Sequence, residues 1–181
     1  MTGGISGLAT VSVQGAGSGL VSRDGTIVAD FLNVGDRTEG EVRLELRDSA
    51  ADVGMLRLGA EATLVLDVAG LSRYSVIATD LAMLDGTLDL DFASAPAPGV
   101  YDLIVSSGVA GIEGDFARLR LLGAGSSLSP EQYSAGVTQV VVGGVLRDVY
   151  RLTIVPEPGT ALLLGLGLSV LARSRPRTPR A

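Results

Sequence analysis

The sequence predicts an all-β protein whose body is a parallel β-helix, a solenoid of stacked coils. Three observations lead to this fold class: segments of alternating apolar residues follow one another, glycines separate them, and a weak repeat returns every twenty-odd residues. No segment before Gly159 has the apolar periodicity of an amphipathic helix. A β-sandwich would produce the same alternation and the same glycine turns, so it stays the alternative.

The alternation is clearest in two segments. In residues 41–47, Val42, Leu44 and Leu46 share one face of a strand. In residues 86–92, the apolar residues Leu88, Leu90 and Phe92 point inward, and two aspartates between them point outward. Further strands are predicted at 26–31, 55–58, 63–68, 74–78, 101–106, 117–122, 139–142 and 148–155.

The repeat joins segments 40–46, 62–68 and 86–92, which carry apolar residues at the same positions. Segment 25–31 shows a related Gly-Thr…Asp-Phe pattern. In a parallel β-helix each coil stacks on the previous one, so a period of this length favours a solenoid. At that period, about five or six coils fit the body.

Composition excludes several functions. The chain has 14 basic residues, all arginine, against 20 acids, and most of the arginine-rich balance lies at the C-terminus. The remaining body is too acidic to bind nucleic-acid phosphate. There is no cysteine, no histidine and no tryptophan, so the usual general base, the usual transition-metal ligands and a strong sugar-stacking platform are missing. We therefore expect no enzyme and no cofactor.

Asp89 and Asp91 form the best carboxylate pair, because positions i and i+2 of a strand point to one side. They are weak candidates for a Ca²⁺ site or for an acid/base pair acting on sugar. The favoured interpretation is a solvated outer face of the solenoid. Arg118 and Arg120 alternate around Leu119 and are interpreted as outward charges that balance nearby acids.

The C-terminus has three parts in a fixed order. Pro156 and Pro158 stop any strand that arrives from the body. An uncharged segment, predicted as a helix over 159–172, follows and would be about 22 Å long from Pro158, short of a hydrocarbon core of about 30 Å. Its membrane-facing residues are Ala161, Leu162, Leu163, Leu164, Leu166, Leu168, Val170 and Leu171. A basic end closes the chain with Arg173, Arg175, Arg177 and Arg180, which favour the cytoplasmic side.

This order resembles the PEP-CTERM sorting signal of Gram-negative bacteria, with Pro156, Glu157 and Pro158 as the sorting motif. The resemblance implies recognition by an exosortase and export to the cell envelope. It divides the chain into a flexible N-terminal segment (1–18), a β-solenoid domain (19–155) and a sorting tail (156–181). Such tails usually accompany an N-terminal signal peptide, whereas residues 1–7 have no cationic start and no long apolar core.

The body is similar to the β-helix repeats of autotransporter-like passengers. The matching segments are 19–26 with 32–42, then 64–70, 74–78 and 84–88, and finally 99–104 with 112–116. This resemblance implies a right-handed parallel β-helix that loosens into an antiparallel end near residues 133–155.

Together these patterns predict an exported, non-enzymatic protein of the cell envelope or extracellular matrix. Its role would be structural or adhesive, in association with exopolysaccharide. The expected partners are an exosortase and, at least transiently, the inner membrane, with the body outside and the C-terminus cytoplasmic. The alternatives are a Ca²⁺-dependent or carbohydrate-binding module and a β-helix enzyme that degrades polysaccharide.

Overall fold

A computed structural model describes residues 9–35, 40–142 and 144–156. Strands and two short 3-10 helices, η1 (Ala124–Ser127) and η2 (Pro130–Gln132), make up its regular structure. The strands are β1 (Thr10–Val13), β2 (Gly19–Arg23), β3 (Thr26–Val34), β4 (Val42–Arg47), β5 (Ala50–Leu58), β6 (Ala62–Gly70), β7 (Arg73–Tyr74), β8 (Val76–Leu84), β9 (Thr87–Phe92), β10 (Gly99–Gly114), β11 (Arg118–Gly123), β12 (Tyr133–Val142) and β13 (Val145–Ile154).

The strands form two sheets, and the chain alternates between them. Sheet A has the order β1-β3-β5-β8-β10-β13-β12, and sheet B has the order β11-β9-β6-β4-β2, with β7 added beside β6. From β1 to β10 in sheet A, and from β2 to β11 in sheet B, every pairing between neighbours in these orders is parallel. This topology confirms the predicted β-solenoid, and the alternative of an antiparallel β-sandwich is wrong.

The solenoid has about four turns, so the expectation of five or six coils is wrong. One reason is the length of the coils, since Thr26 pairs with Ala50, Ala50 with Val76 and Ile77 with Ile104. The other is that the chain leaves the coil path after β11. It then forms an antiparallel hairpin of β12 and β13, which joins sheet A through β10. This hairpin confirms the antiparallel end predicted near residues 133–155.

The sequence repeat corresponds to adjacent strands of sheet B. Segments 40–46, 62–68 and 86–92 fall in β4, β6 and β9, which are neighbours in that sheet. Leu44, Leu64 and Leu88 pair in register, as do Leu46, Leu66 and Leu90, and all six are fully buried. The repeat is therefore a ladder of leucines in the core. Segment 25–31 lies in β3 of the other sheet, so its likeness does not reflect an equivalent structural position.

The inner strands of sheet A are interrupted at one shared column, formed by Asp30, Gly54 and Asp80. None of these residues has a partner in the parallel ladders, although the residues on both sides do. The buried positions shift across the column, for example from Val53 to Leu56 in β5. One extra residue per strand reverses which side chains face the core.

Two further features bear on the predicted boundaries. β1 pairs with β3, so paired structure begins inside the range 1–18 that the sequence assigned to a flexible segment. The core includes edge-to-face aromatic pairs, Tyr74–Tyr101 at 5.6 Å and Phe116–Tyr150 at 5.0 Å between ring centroids. The predicted apolar helix over 159–172 lies outside the described residues, and within the described ranges no helix is long and apolar enough to span a membrane.

Candidate functional site

The outer face of sheet B, here called the charged face, carries the carboxylates that the sequence analysis singled out. It is built by the outward side chains of four parallel strands, so residues one coil apart stand beside each other. Glu45, Val65, Asp89 and Arg120 form one cross-strand row on this face. Its outward members are Arg43, Glu45, Arg47, Thr63, Val65, Asp67, Thr87, Asp89, Asp91, Arg118 and Arg120.

Asp89 is on the outer face but is not solvated, which corrects the sequence-based expectation. Its exposed fraction is 1 %. Arg120 lies opposite it on the neighbouring strand and donates two hydrogen bonds to the carboxylate, at 2.6 Å from Nε and 2.7 Å from Nη2. The same contact raises the pKa of Arg120. Because Arg120 occupies both oxygens, Asp89 is not a free metal ligand or a free acid.

Asp91 does not join Asp89 in a site of its own. It points the same way but lies 3.8 Å from Nη1 of Arg47, measured at its Oδ2. Within the described ranges, no group of three or more acidic side chains is placed to hold a metal ion. The interpretation of Arg120 as a charge that balances an acid is confirmed, whereas Arg118 has no acidic partner in the described part of the chain.

Glu45 and Asp67 show how the charged face distributes its charge. Burial alone would raise the pKa of Glu45, but hydrogen bonds and positive charge from Arg47 and Arg43 outweigh burial and hold that pKa below its usual value. The pKa of Asp67 is raised instead, first by burial and then by the negative charges of Asp48 and Asp91. The face is therefore a network of mutually neutralised side chains with one carboxylate, Asp67, in an unfavourable environment.

Two open grooves flank the charged face. The first has a volume of about 490 Å³ and lies at the turn from sheet B to sheet A, where Arg73 donates hydrogen bonds of 2.8 Å and 2.7 Å to the Asp48 carboxylate. The second, of about 330 Å³, lies at the start of sheet B. Its polar lining is Glu41, Glu61, Thr63, Thr87, Arg118 and Arg120. Hydroxyls, carboxylates and a free guanidinium are the groups that hydrogen-bond sugar hydroxyls and carboxylates.

Sequence reasoning missed a serine ladder inside the turn between the sheets. Ser22 Oγ donates to Ser49 Oγ at 3.3 Å, and Ser75 Oγ donates to the carbonyl of Leu46 at 2.9 Å. The Ser49 amide donates to Ser75 Oγ at 3.4 Å. These hydroxyls satisfy backbone groups at a buried corner. Their spacing of one coil was the available signal, because serines recur at 22, 49 and 75.

The body ends where the predicted sorting tail begins. β13 ends at Ile154, and the Val155 amide donates to the carbonyl of Gln132 at 2.8 Å. A family model described as the PEP-CTERM protein-sorting motif matches residues 155–176. The chain carries a PEP-CTERM motif. The match includes Pro156, Glu157, Pro158 and the apolar segment, together with Arg173 and Arg175, whereas Arg177 and Arg180 follow it.

The motif indicates an exported protein that an exosortase sorts and that passes through a membrane to the cell envelope. Comparison with curated proteins and with solved structures finds no significant match. The resemblance of the body to autotransporter-like passengers therefore stays a prediction. Apart from Pro156, the predicted tail residues, from Glu157 to Arg180, lie outside the described part of the chain.

Proposed function

We propose that this chain is a non-enzymatic protein of the cell envelope or matrix, with a structural or adhesive role in association with exopolysaccharide. The observation that carries the proposal is the direct junction between body and tail. The last core strand ends at Ile154 and the sorting motif begins at residue 155. An exosortase would thus deliver the solenoid as a single folded unit.

The charged face supports a role without catalysis. The predicted acid pair is occupied, since Arg120 binds Asp89 and Arg47 lies beside Asp91. This arrangement favours neither the Ca²⁺-dependent module nor the polysaccharide-degrading enzyme. The ion pairs instead join neighbouring coils, which suits a rigid scaffold that displays polar surface.

In the proposed topology, the apolar segment enters the inner membrane at least transiently. Its leucines favour insertion, and the four terminal arginines favour retention on the cytoplasmic side. The solenoid would then lie outside. The segment is short for a permanent span, which fits a sorting intermediate better than a lasting anchor.

The sorting part of the proposal is tested by expressing the full chain in hosts with and without the exosortase. A variant with Pro156→Ala, Glu157→Ala and Pro158→Ala is compared with a control carrying Pro130→Ala and Glu131→Ala, which alters a Pro-Glu pair in the body. We expect the wild type and the control to change mass and reach the envelope only when exosortase is present. Equal mass and equal location in both hosts would contradict the proposal.

The groove at the start of sheet B favours carbohydrate binding as a second candidate function. Arg118 is exposed there without an acidic partner in the described chain, next to the Thr87 hydroxyl. Titration calorimetry with exopolysaccharide from the source bacterium should show binding that Arg118→Ala weakens about tenfold. A matched change outside the groove, Arg23→Ala, should leave the affinity unchanged. Equal affinities for all three proteins would reject this site.

A further inference from the structure

The strand β12 is an unusual edge. It is the outermost strand of sheet A and pairs only with β13 within the described residues. In an antiparallel pair, every second residue directs its amide and carbonyl away from the partner strand. A ten-residue edge therefore presents a row of backbone donors and acceptors to solvent.

The composition of β12 leaves this edge unprotected. Its sequence, YSAGVTQVVV, has no charged residue and no proline, which are the usual devices that prevent strands from pairing between molecules. The other edges of the described solenoid are short or charged. β1 has four residues, β2 has five and includes Arg23, and β11 has six and includes Arg118 and Arg120.

The core-facing side of the hairpin also continues beyond the core. Tyr133 and Ala135 pack against the core opposite Ile154 and Leu152. Further along the same face, Val137 is 40 % exposed, Val141 is 70 % exposed, and Leu146, the partner of Val141, is 58 % exposed. An apolar face without cover thus adjoins an edge without charge.

We infer that β12 is a self-association surface, which pairs antiparallel with β12 of a second copy of this chain. Self-pairing brings each residue opposite another residue of the same uncharged strand, so no like charges meet. It also brings the two exposed valine-rich faces side by side in one continuous sheet. The contact is isologous, and it closes as a dimer with two-fold symmetry.

The absence of cysteine from the chain allows a direct test on the full-length protein in mild detergent. Single substitutions Ser134→Cys, Val137→Cys, Gln139→Cys and Val141→Cys sample the edge. Under mild oxidation, antiparallel self-pairing should give a covalent dimer whose yield peaks at the position nearest the two-fold axis and falls on both sides. No dimer, or an equal yield at all positions, would overturn the inference.

Light scattering after size exclusion gives the second arm. The double change Val137→Lys and Val141→Lys should weaken dimerisation at least about tenfold, since it places like charges across the pairing. Val28→Lys is the control, because Val28 is 44 % exposed but lies on the interior strand β3. Circular dichroism verifies that each variant keeps its fold.

The apolar tail is the competing cause of association. Leu164→Arg with Leu168→Arg disrupts the tail segment and leaves β12 intact. Dimers that persist in this variant and disappear in the lysine variant support the inference. Dimers that depend on the tail leucines and ignore the lysines overturn it. Neither outcome affects the sorting proposal, which is measured by mass and location.

Discussion

At the scale of single residues, the direction of a side chain and its exposure are separate properties. Asp89 points out of the solenoid, yet it is 1 % exposed because the neighbouring coil places Arg120 over it. A carboxylate in this position depends on its partner, since an unpaired buried charge is far less favourable than a paired one.

Replacing the partner should therefore destabilise the fold. We expect Arg120→Leu to lower the free energy of unfolding by about 2 kcal/mol, because the Asp89 carboxylate loses both side-chain donors. Arg118→Leu on the same strand is the matched control and should change it by less than about 0.5 kcal/mol. Urea unfolding measures both variants, and equal effects would show that the ion pair does not stabilise the coil stack.

Asp67 predicts the opposite kind of effect. Its pKa is raised in the folded protein by burial and by Asp48 and Asp91. The folded state therefore holds the proton more tightly, and this carboxylate contributes a loss of stability as pH rises through its unfolded and then its folded pKa. Asp67→Asn should stabilise the protein at pH 7 by up to about 1 kcal/mol, and this gain should vanish below about pH 3.

Urea unfolding of wild type and Asp67→Asn at both pH values checks this sign. Asp52→Asn, at an exposed position of β5, serves as the control and should show no gain that depends on pH. A gain from Asp67→Asn that is equally large in acid, or a loss at pH 7, would contradict the proposed environment of this carboxylate.

Residue contacts were the part that the sequence could least predict. Asp89 and Arg120 are 31 residues apart, and their contact depends on the register of two coils and on the length of the loops between them. Leu88, Leu90 and Phe92 were predicted correctly as core residues because strict alternation in one strand is a local signal. The same alternation cannot show what covers the outer side.

At the scale of elements, the predicted short strands in sheet A were parts of longer ones. The predicted segment 55–58 is the second half of β5 (Ala50–Leu58). The unpaired residue Gly54 reverses the inward side, so a period of two is lost halfway along the strand. Strands of sheet B contain no such interruption between β4 and β9, and there the repeat was readable from the sequence.

The tight corners between sheets depend on individual glycines. Gly86 has φ of +76°, and a Cβ there would lie 2.3 Å from the Ala62 carbonyl oxygen. We expect Gly86→Ala to destabilise the protein by about 2 kcal/mol or more, because both the backbone and the neighbouring coil must shift. In Gly70→Ala, the added Cβ meets nothing within 4 Å, so the loss should stay below about 1 kcal/mol. Thermal unfolding of the two variants would refute this explanation if they were equally destabilised.

At the scale of the whole molecule, a solenoid is stabilised mainly by contacts between adjacent coils. β4 and β6 have a parallel strand on both sides, whereas β2 pairs only with β4 in the described chain. The same holds in sheet A, where β5 and β8 are internal and β1 is terminal. Position along the coil stack should therefore govern local stability more than the chemistry of each strand.

Hydrogen exchange would reveal this gradient. Backbone amides of β4, β6, β5 and β8 should exchange at least about tenfold more slowly than those of β1 and β2, because terminal coils open without breaking a second interface. The C-terminal edge should differ from the N-terminal one. Protection of β12 should rise with protein concentration, since its outward amides gain partners only in the dimer, while protection of β2 should not change. Uniform exchange along the stack would mean that the coils unfold as one unit, and a β12 that ignores concentration would leave that edge unpaired in solution.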